Sequence, residues 1–341
     1  AIFLPPFTLD PLTLSSAMFS SAPAPAKEEP KPYGTEAPLE SKELTDDEQK
    51  LLTELREKNK DHPCNATTSD DTVIRFIRGY CREKEPIKTT HERYTAMLDW
   101  RKEQKIDEVI LTNPPSWEEY NKHYKAFIYG RDKLGRPVCY EQLGKLEPND
   151  LVEFGVDKLE AGHIRFMEEL TKLKWHITRE KKTLVYKHVH VIDLEGFGWK
   201  HMGSKFYGTI KKIMGIDSQF YPETLQKLFV LNASMTFRTL WSVVSGWVHP
   251  LTKQRITMLG YDKAANLEKM KEFIDEDQIP EYLGGKNKEP MYGICHMKFD
   301  DIDYKKDPAS WKPDAEDPRA IYKREHPEEE KKAEDKPAED K

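Results

Sequence analysis

Residues 221–259 read YPETLQKLFVLNASMTFRTLWSVVSGWVHPLTKQRITML, and this stretch decides the fold class. Leu228-Phe229-Val230-Leu231 and Ile256-Thr257-Met258-Leu259 are short apolar runs of strand length. Between them Phe237, Leu240, Trp241, Val244 and Val248 recur at i, i+3, i+4, i+7 and i+11, the apolar stripe of a helix. Strand, helix and strand in succession predict an α/β sheet that is largely parallel. Trp247 stands beside the stripe, and Gly246 with His249-Pro250 ends it. In an ordinary fold such a helix is core. Two tryptophans near a glycine break also suit a helix that covers a cavity and meets a bilayer interface.

The same alternation continues upstream. Val189-His190-Val191-Ile192-Asp193-Leu194 reads as a buried strand, followed by a helix from about Met202 to Met214. Long helical sequence runs from about Asp150 to Arg179. Phe127-Ile128-Tyr129 and Val138-Cys139-Tyr140, separated by the turn Arg131–Arg136, predict a hairpin. Asn113-Pro114-Pro115 breaks the pattern before it. Further upstream lie three helices. Thr45-Asp46-Asp47-Glu48 has capping-box spacing ahead of Leu51, Leu52 and Leu55. Asp70-Asp71 opens a second, with Val73, Ile74, Ile77 and Tyr80 on one face. A third covers roughly His91 to Gln104, with Tyr94, Met97, Leu98 and Trp100-Arg101. The expected organisation is a polar tail over 1–43, a helical N-lobe over 44–112, an α/β domain over 113–286 and a second polar tail over 287–341.

Composition narrows the function classes. The chain has 341 residues, 37% of them hydrophobic and 33% charged, with 60 acidic against 54 basic side chains and a net charge of −6. That balance argues against a nucleic-acid binder, so attraction to an anionic membrane needs a local basic patch. Cys64, Cys81, Cys139 and Cys295 are scattered, which suits a reducing compartment better than a disulfide or zinc framework. The sequons at Asn65 and Asn232 read as chance matches. No run of eighteen apolar residues predicts a membrane span. Pro5, Pro6, Asp10 and Pro11 interrupt the apolar first seventeen residues, and no basic segment precedes them, which argues against a secretory signal. Met18 ahead of a polar tail leaves open whether residues 1–17 belong to the native product.

Enzymatic motifs fail on inspection. Gly196 and Gly198 follow a strand, but the third glycine of a dinucleotide fingerprint falls at His201. Gly285-Lys286 is followed by Asn287, with Pro280 where a phosphate loop needs glycine. Ser245-Gly246 lacks the glycine two residues before the serine. His188-x-His190, near Asp193, puts two imidazoles on one strand face and supports a metal hydrolase as a third hypothesis. A structural role is the commoner fate of such a pair. The expectation is no enzyme, no metal and no cofactor.

Five motifs in register carry a resemblance: Asp132–Val138 (DKLGRPV), Asp193–Gly196 (DLEG), Tyr221–Leu225 (YPETL), Leu251–Ile256 (LTKQRI) and Ile279–Gly285 (IPEYLGG). With Arg75-Phe76-Ile77-Arg78, they are similar to the CRAL-TRIO lipid-binding family over roughly 45–286, and the phosphatidylinositol transfer proteins of secretory pathways are the nearest type. The resemblance implies a sheet that floors an apolar pocket and a mobile helix, at about 236–248, that closes it. It implies headgroup contacts from Thr252, Arg255, Glu223 and Asp132, with Arg255 where lysine is usual. It implies pocket and gate roles for Cys139, Gly198, Lys200, Phe237, Leu240, Trp241, Val244 and Trp247. Tyr80-Cys81 replaces an Arg-Lys pair, and Cys139, Gly198 and Lys200 replace the residues of a phosphatidylcholine site. Ser245-Gly246-Trp247-Val248 departs from the usual gate ending.

The residues themselves leave alternatives. Thr252 and Arg255 also fit a helix cap and a surface cation, and Glu223 the start of a helix after Pro222. Lys200, Lys205, Lys211 and Lys212 fit a solvated face or a contact with anionic lipid. The expected function is the binding and transfer of single phospholipids, phosphatidylinositol or a phosphoinositide, by a cytoplasmic monomer in transient contact with membranes. A carrier of a sterol-, tocopherol- or retinoid-like hydrophobe is the alternative, motivated by Cys139, Gly198 and Lys200.

Overall fold

The computed structural model describes residues 44–106, 117–181, 183–248 and 250–288. The two predicted tails, Cys295 and the Asn113-Pro114-Pro115 break lie outside the described residues.

The N-lobe holds helices α1 (Asp46–Lys58), α2 (Pro63–Thr67), α3 (Asp70–Tyr80) and α4 (Pro86–Glu103). The capping box forms as its spacing predicts: Glu48 N donates to Thr45 Oγ1 at 3.2 Å, and Thr45 N to Glu48 Oε2 at 3.1 Å. Leu51, Leu55, Val73, Ile74, Phe76, Ile77, Tyr94 and Leu98 fill this lobe's core, joined by Leu184 and Tyr186 from the approach to the central sheet. Asn65 is buried and accepts from the Tyr94 hydroxyl at 2.7 Å. Its side chain is therefore packing, not a glycan acceptor. The third helix begins at Pro86 rather than near His91, since a proline in the first turn loses no intrahelical bond.

After α5 (Trp117–His123) come β1 (Ala126–Arg131) and β2 (Pro137–Glu141). They pair antiparallel across the predicted turn. The expected long helix is two, α6 (Pro148–Phe154) and α7 (Val156–Lys181), because Gly155 takes φ +96° between them. Then follow β3 (His188–Asp193), α8 (Ser204–Phe220), β4 (Leu225–Leu231), α9 (Met235–Val244), α10 (Pro250–Gln254), β5 (Ile256–Met258) and α11 (Lys263–Lys271). The sheet order is β1-β2-β3-β4-β5, parallel from β2 onward.

Strand alternation sorts the side chains onto two faces. Val138, Tyr140, Val189, Val191, Phe229 and Leu231 pack with Met270 of α11 and with Ile274 and Ile279 beyond it. The other face presents Ile128, Cys139, Ile192, Leu228, Val230, Ile256 and Met258 to residues of α6, α7, α8 and α9.

Candidate functional site

Around β1 and β2 that second face is sealed: Ala126, Ile128 and Cys139 are buried under Leu159, Phe166, Leu170 and Leu173. Around β4 and β5 it is not. Leu228, Ile256 and Met258 are only half-buried, and Phe237 and Leu240 of α9, half-buried too, pack against the same core. Phe237 seats its ring edge-on to Phe197, with centroids 5.5 Å apart. Trp241 and Val244 are half-buried on the same helix. A 3-10 turn, Ser245–Trp247, ends α9, and the Trp247 side chain lies outside what is described. The predicted gate segment is thus a helix whose apolar side is only half-buried against the core.

At the start of the parallel strands lies a charged group. Glu223 sits at φ +52° in the turn before β4, so it does not open a helix. That turn presses on α3 at Gly79, where a Cβ would stand 3.2 Å from Pro222 Cβ. Arg255, between α10 and β5, donates from Nη2 to Glu223 Oε2 at 3.0 Å and from Nη1 to the Leu225 carbonyl at 2.9 Å. It is a half-buried clamp rather than a surface cation. Lys187, just before β3, brings its ammonium within 3.3 Å of the same Glu223 oxygen. Thr252 is half-buried inside α10, not its cap, and its carbonyl accepts from Arg255 N at 3.0 Å. Nearby, burial raises the Cys81 thiol to about 11, with the Glu223 and Glu48 carboxylates adding to the shift.

Asp132 sits in the turn between β1 and β2. Its carboxylate accepts from Leu134 N at 3.0 Å, Arg136 N at 2.8 Å and Arg136 Nε at 2.6 Å, which is the work of the hairpin turn. Lys200 is 46% exposed and pairs with Glu147 at 2.5 Å. Gly198 is half-buried and precedes the 3-10 turn Trp199–Met202. Cys139 does lie on the floor face, and burial pushes its thiol up.

Sequence reading misses a polar layer on this same face, between the sheet and α7. His190 Nε2 lies 3.4 Å from Glu141 Oε1, and the Tyr124 hydroxyl donates to Glu141 at 3.2 Å. His163 and Asp217 are 2.7 Å apart. Lys174 donates to Thr224, and burial, reinforced by the Arg75 charge, lowers its pKa to about 7. Burial likewise keeps His188 well below the usual imidazole range. Among the described residues no three His, Cys, Asp or Glu side chains stand where they could share a metal ion. His188 and His190 are members of this interior layer. Two hollows of about 280 and 260 Å³, open solvent included, lie apart from it. One is beside α11 and the other between Arg75, Arg101 and Glu168.

Residues 121–285 match the CRAL/TRIO domain. The chain is 31% identical over 254 residues to the phosphatidylinositol/phosphatidylcholine transfer protein SFH14 of Arabidopsis thaliana, covering 73% of this chain and 43% of that protein. It is 28% identical to the Sec14 cytosolic factor of Schizosaccharomyces pombe, covering 67% of this chain and 78% of that one. The chain spans about two fifths of the length of the first Arabidopsis relatives it matches. Among solved structures, Sfh5 superposes with a TM-score of 0.53 at 18% identity, over 72% of this chain and 89% of that one, a likeness of fold.

Proposed function

We propose, from the premise that residues 121–285 are a CRAL/TRIO domain, that this chain binds one phospholipid at a time and transfers it between membranes, with phosphatidylinositol preferred. The observation that carries the reading is that Leu228, Ile256 and Met258 on the sheet and Phe237 and Leu240 of α9 pack against one core and yet stay half-buried. Acyl chains complete the burial that the protein alone leaves unfinished. At about 0.8 kcal/mol per methylene, a single sixteen-carbon chain contributes on the order of 12 kcal/mol. α9 moves aside at a membrane, a chain slides in, and α9 returns.

The headgroup lies at Arg255, Glu223 and Thr252, at the start of β4 and β5. Arg255 supplies a planar fork for phosphate oxygens, and Glu223 and Thr252 suit ring hydroxyls. Moving a lipid breaks no covalent bond, so no catalytic group is required. Among the described residues no helix is long and apolar enough to cross a membrane. The proposed mode is a cytoplasmic monomer that touches membrane surfaces transiently.

The test is transfer of labelled phosphatidylinositol and labelled phosphatidylcholine between vesicles. Rapid transfer of the first and slow transfer of the second is the expected result. Efficient choline-lipid transfer without inositol-lipid transfer reverses the preference, and transfer of neither removes the carrier function.

A further inference from the structure

We infer that Lys187 is a headgroup residue, and that it selects lipids whose phosphate-bearing headgroup is net negative over those whose headgroup is zwitterionic. This rests on the phospholipid reading above and deepens it.

The argument is geometric. Lys187 and Arg255 converge on one carboxylate oxygen, Glu223 Oε2, at 3.3 and 3.0 Å. They come from different elements, the approach to β3 and the approach to β5, and so flank the turn before β4 from both sides. Lys187 is 4% exposed. An ammonium withdrawn from water to that degree costs several kcal/mol unless anions answer it. The Tyr186 ring lies 5.6 Å from its Nζ, which confines the ammonium further.

A carboxylate held between two cations is an exchangeable ligand. An incoming phosphodiester can accept from both Lys187 and Arg255, and Glu223 is then released to accept from ring hydroxyls. An inositol phosphodiester supplies both parts. A zwitterionic headgroup has no net negative charge for Lys187 to answer.

The full chain, Lys187→Met and Arg255→Ala are titrated with vesicles of phosphatidylcholine alone and of phosphatidylcholine containing phosphatidylinositol. Lys187→Met is expected to weaken inositol-lipid binding roughly ten-fold or more, with choline-lipid binding unchanged within about two-fold. An equal loss for both lipids makes Lys187 a structural ion-pair partner and overturns the inference. So does unchanged inositol-lipid binding in Lys187→Met when Arg255→Ala loses it, a result that leaves the headgroup site standing. No effect from either variant removes the headgroup site itself. If Lys187→Met does not fold, Lys187→Gln is read by the same ratio of lipids. In a second arm, displacement of phosphatidylinositol by inorganic phosphate alone would assign the cation to a free anion and overturn the lipid assignment.

Discussion

Arg255 and Glu223 are joined at 3.0 Å, and the same guanidinium holds the Leu225 carbonyl at 2.9 Å, so one side chain ties the turn before β4 to the start of β5. The cation proposed for the headgroup is thus also a fastener of the sheet.

That dual role sets the first prediction. Arg255→Ala strips the part-buried Leu225 carbonyl of a donor and Glu223 of one cation, and should lower stability by about 1–3 kcal/mol. Phosphatidylinositol affinity should fall by about 2–5 kcal/mol, thirty-fold or more. Lys253, exposed on α10, is the control; Lys253→Ala should change either quantity by less than about 0.5 kcal/mol. Urea unfolding and lipid titration measure the two quantities. Equal losses from both substitutions would reduce the site to general surface charge.

The gate is tested at its seat. Phe237 rests edge-on to Phe197, and Phe237→Ala removes that contact and part of the packing of α9 on the core. Because Phe237 is half-buried, the stability cost should be about 1–2 kcal/mol, below that of a fully buried ring. Release of a preloaded fluorescent lipid should quicken several-fold. A release rate equal to wild type would mean that another element controls exit.

Lys174 gives a pH signature. Burial, with Arg75 nearby, lowers its pKa from the ordinary 10.5 to about 7, while Cys139, Asp71 and Asp217 pull it the other way. Between those values the unfolded chain binds a proton that the folded chain does not, so stability rises with pH across about 7 to 10.5. Lys174→Met should stabilise the protein at pH 7 and flatten that rise. Denaturant unfolding at several pH values checks it. A slope unchanged by the substitution would show that the amine stays charged in the fold.

Removing residues 1–40 and 300–341 should leave cooperative unfolding and bound lipid intact. Neither segment has the composition to build a core. Aggregation of the shortened chain, or lipid loss, would extend the functional unit beyond its proposed limits.

How much of this was legible in the sequence can be traced residue by residue. The apolar stripe of Phe237, Leu240, Trp241 and Val244 and the runs at Val189–Leu194 and Leu228–Leu231 were sufficient for a parallel α/β sheet with a covering helix. Helix and strand periods are local, and burial of one face enforces them. The Thr45–Glu48 cap is local in the same way. Gly155 was a misleading case, because the helical pattern runs through it and only the backbone at φ +96° divides α6 from α7.

The site belongs to the tertiary structure. Lys187, Glu223 and Arg255 lie on three separate approaches to strands, and no spacing rule links them. They meet because β3, β4 and β5 are neighbours in one parallel sheet, which sets their starting ends side by side. Asp132 is the local counterpart: the donors to its carboxylate, Leu134 N, Arg136 N and Arg136 Nε, all come from its own turn. Local pattern determined which segments are strands and which helix covers them. Strand order, a non-local choice made by packing, decided which charges meet.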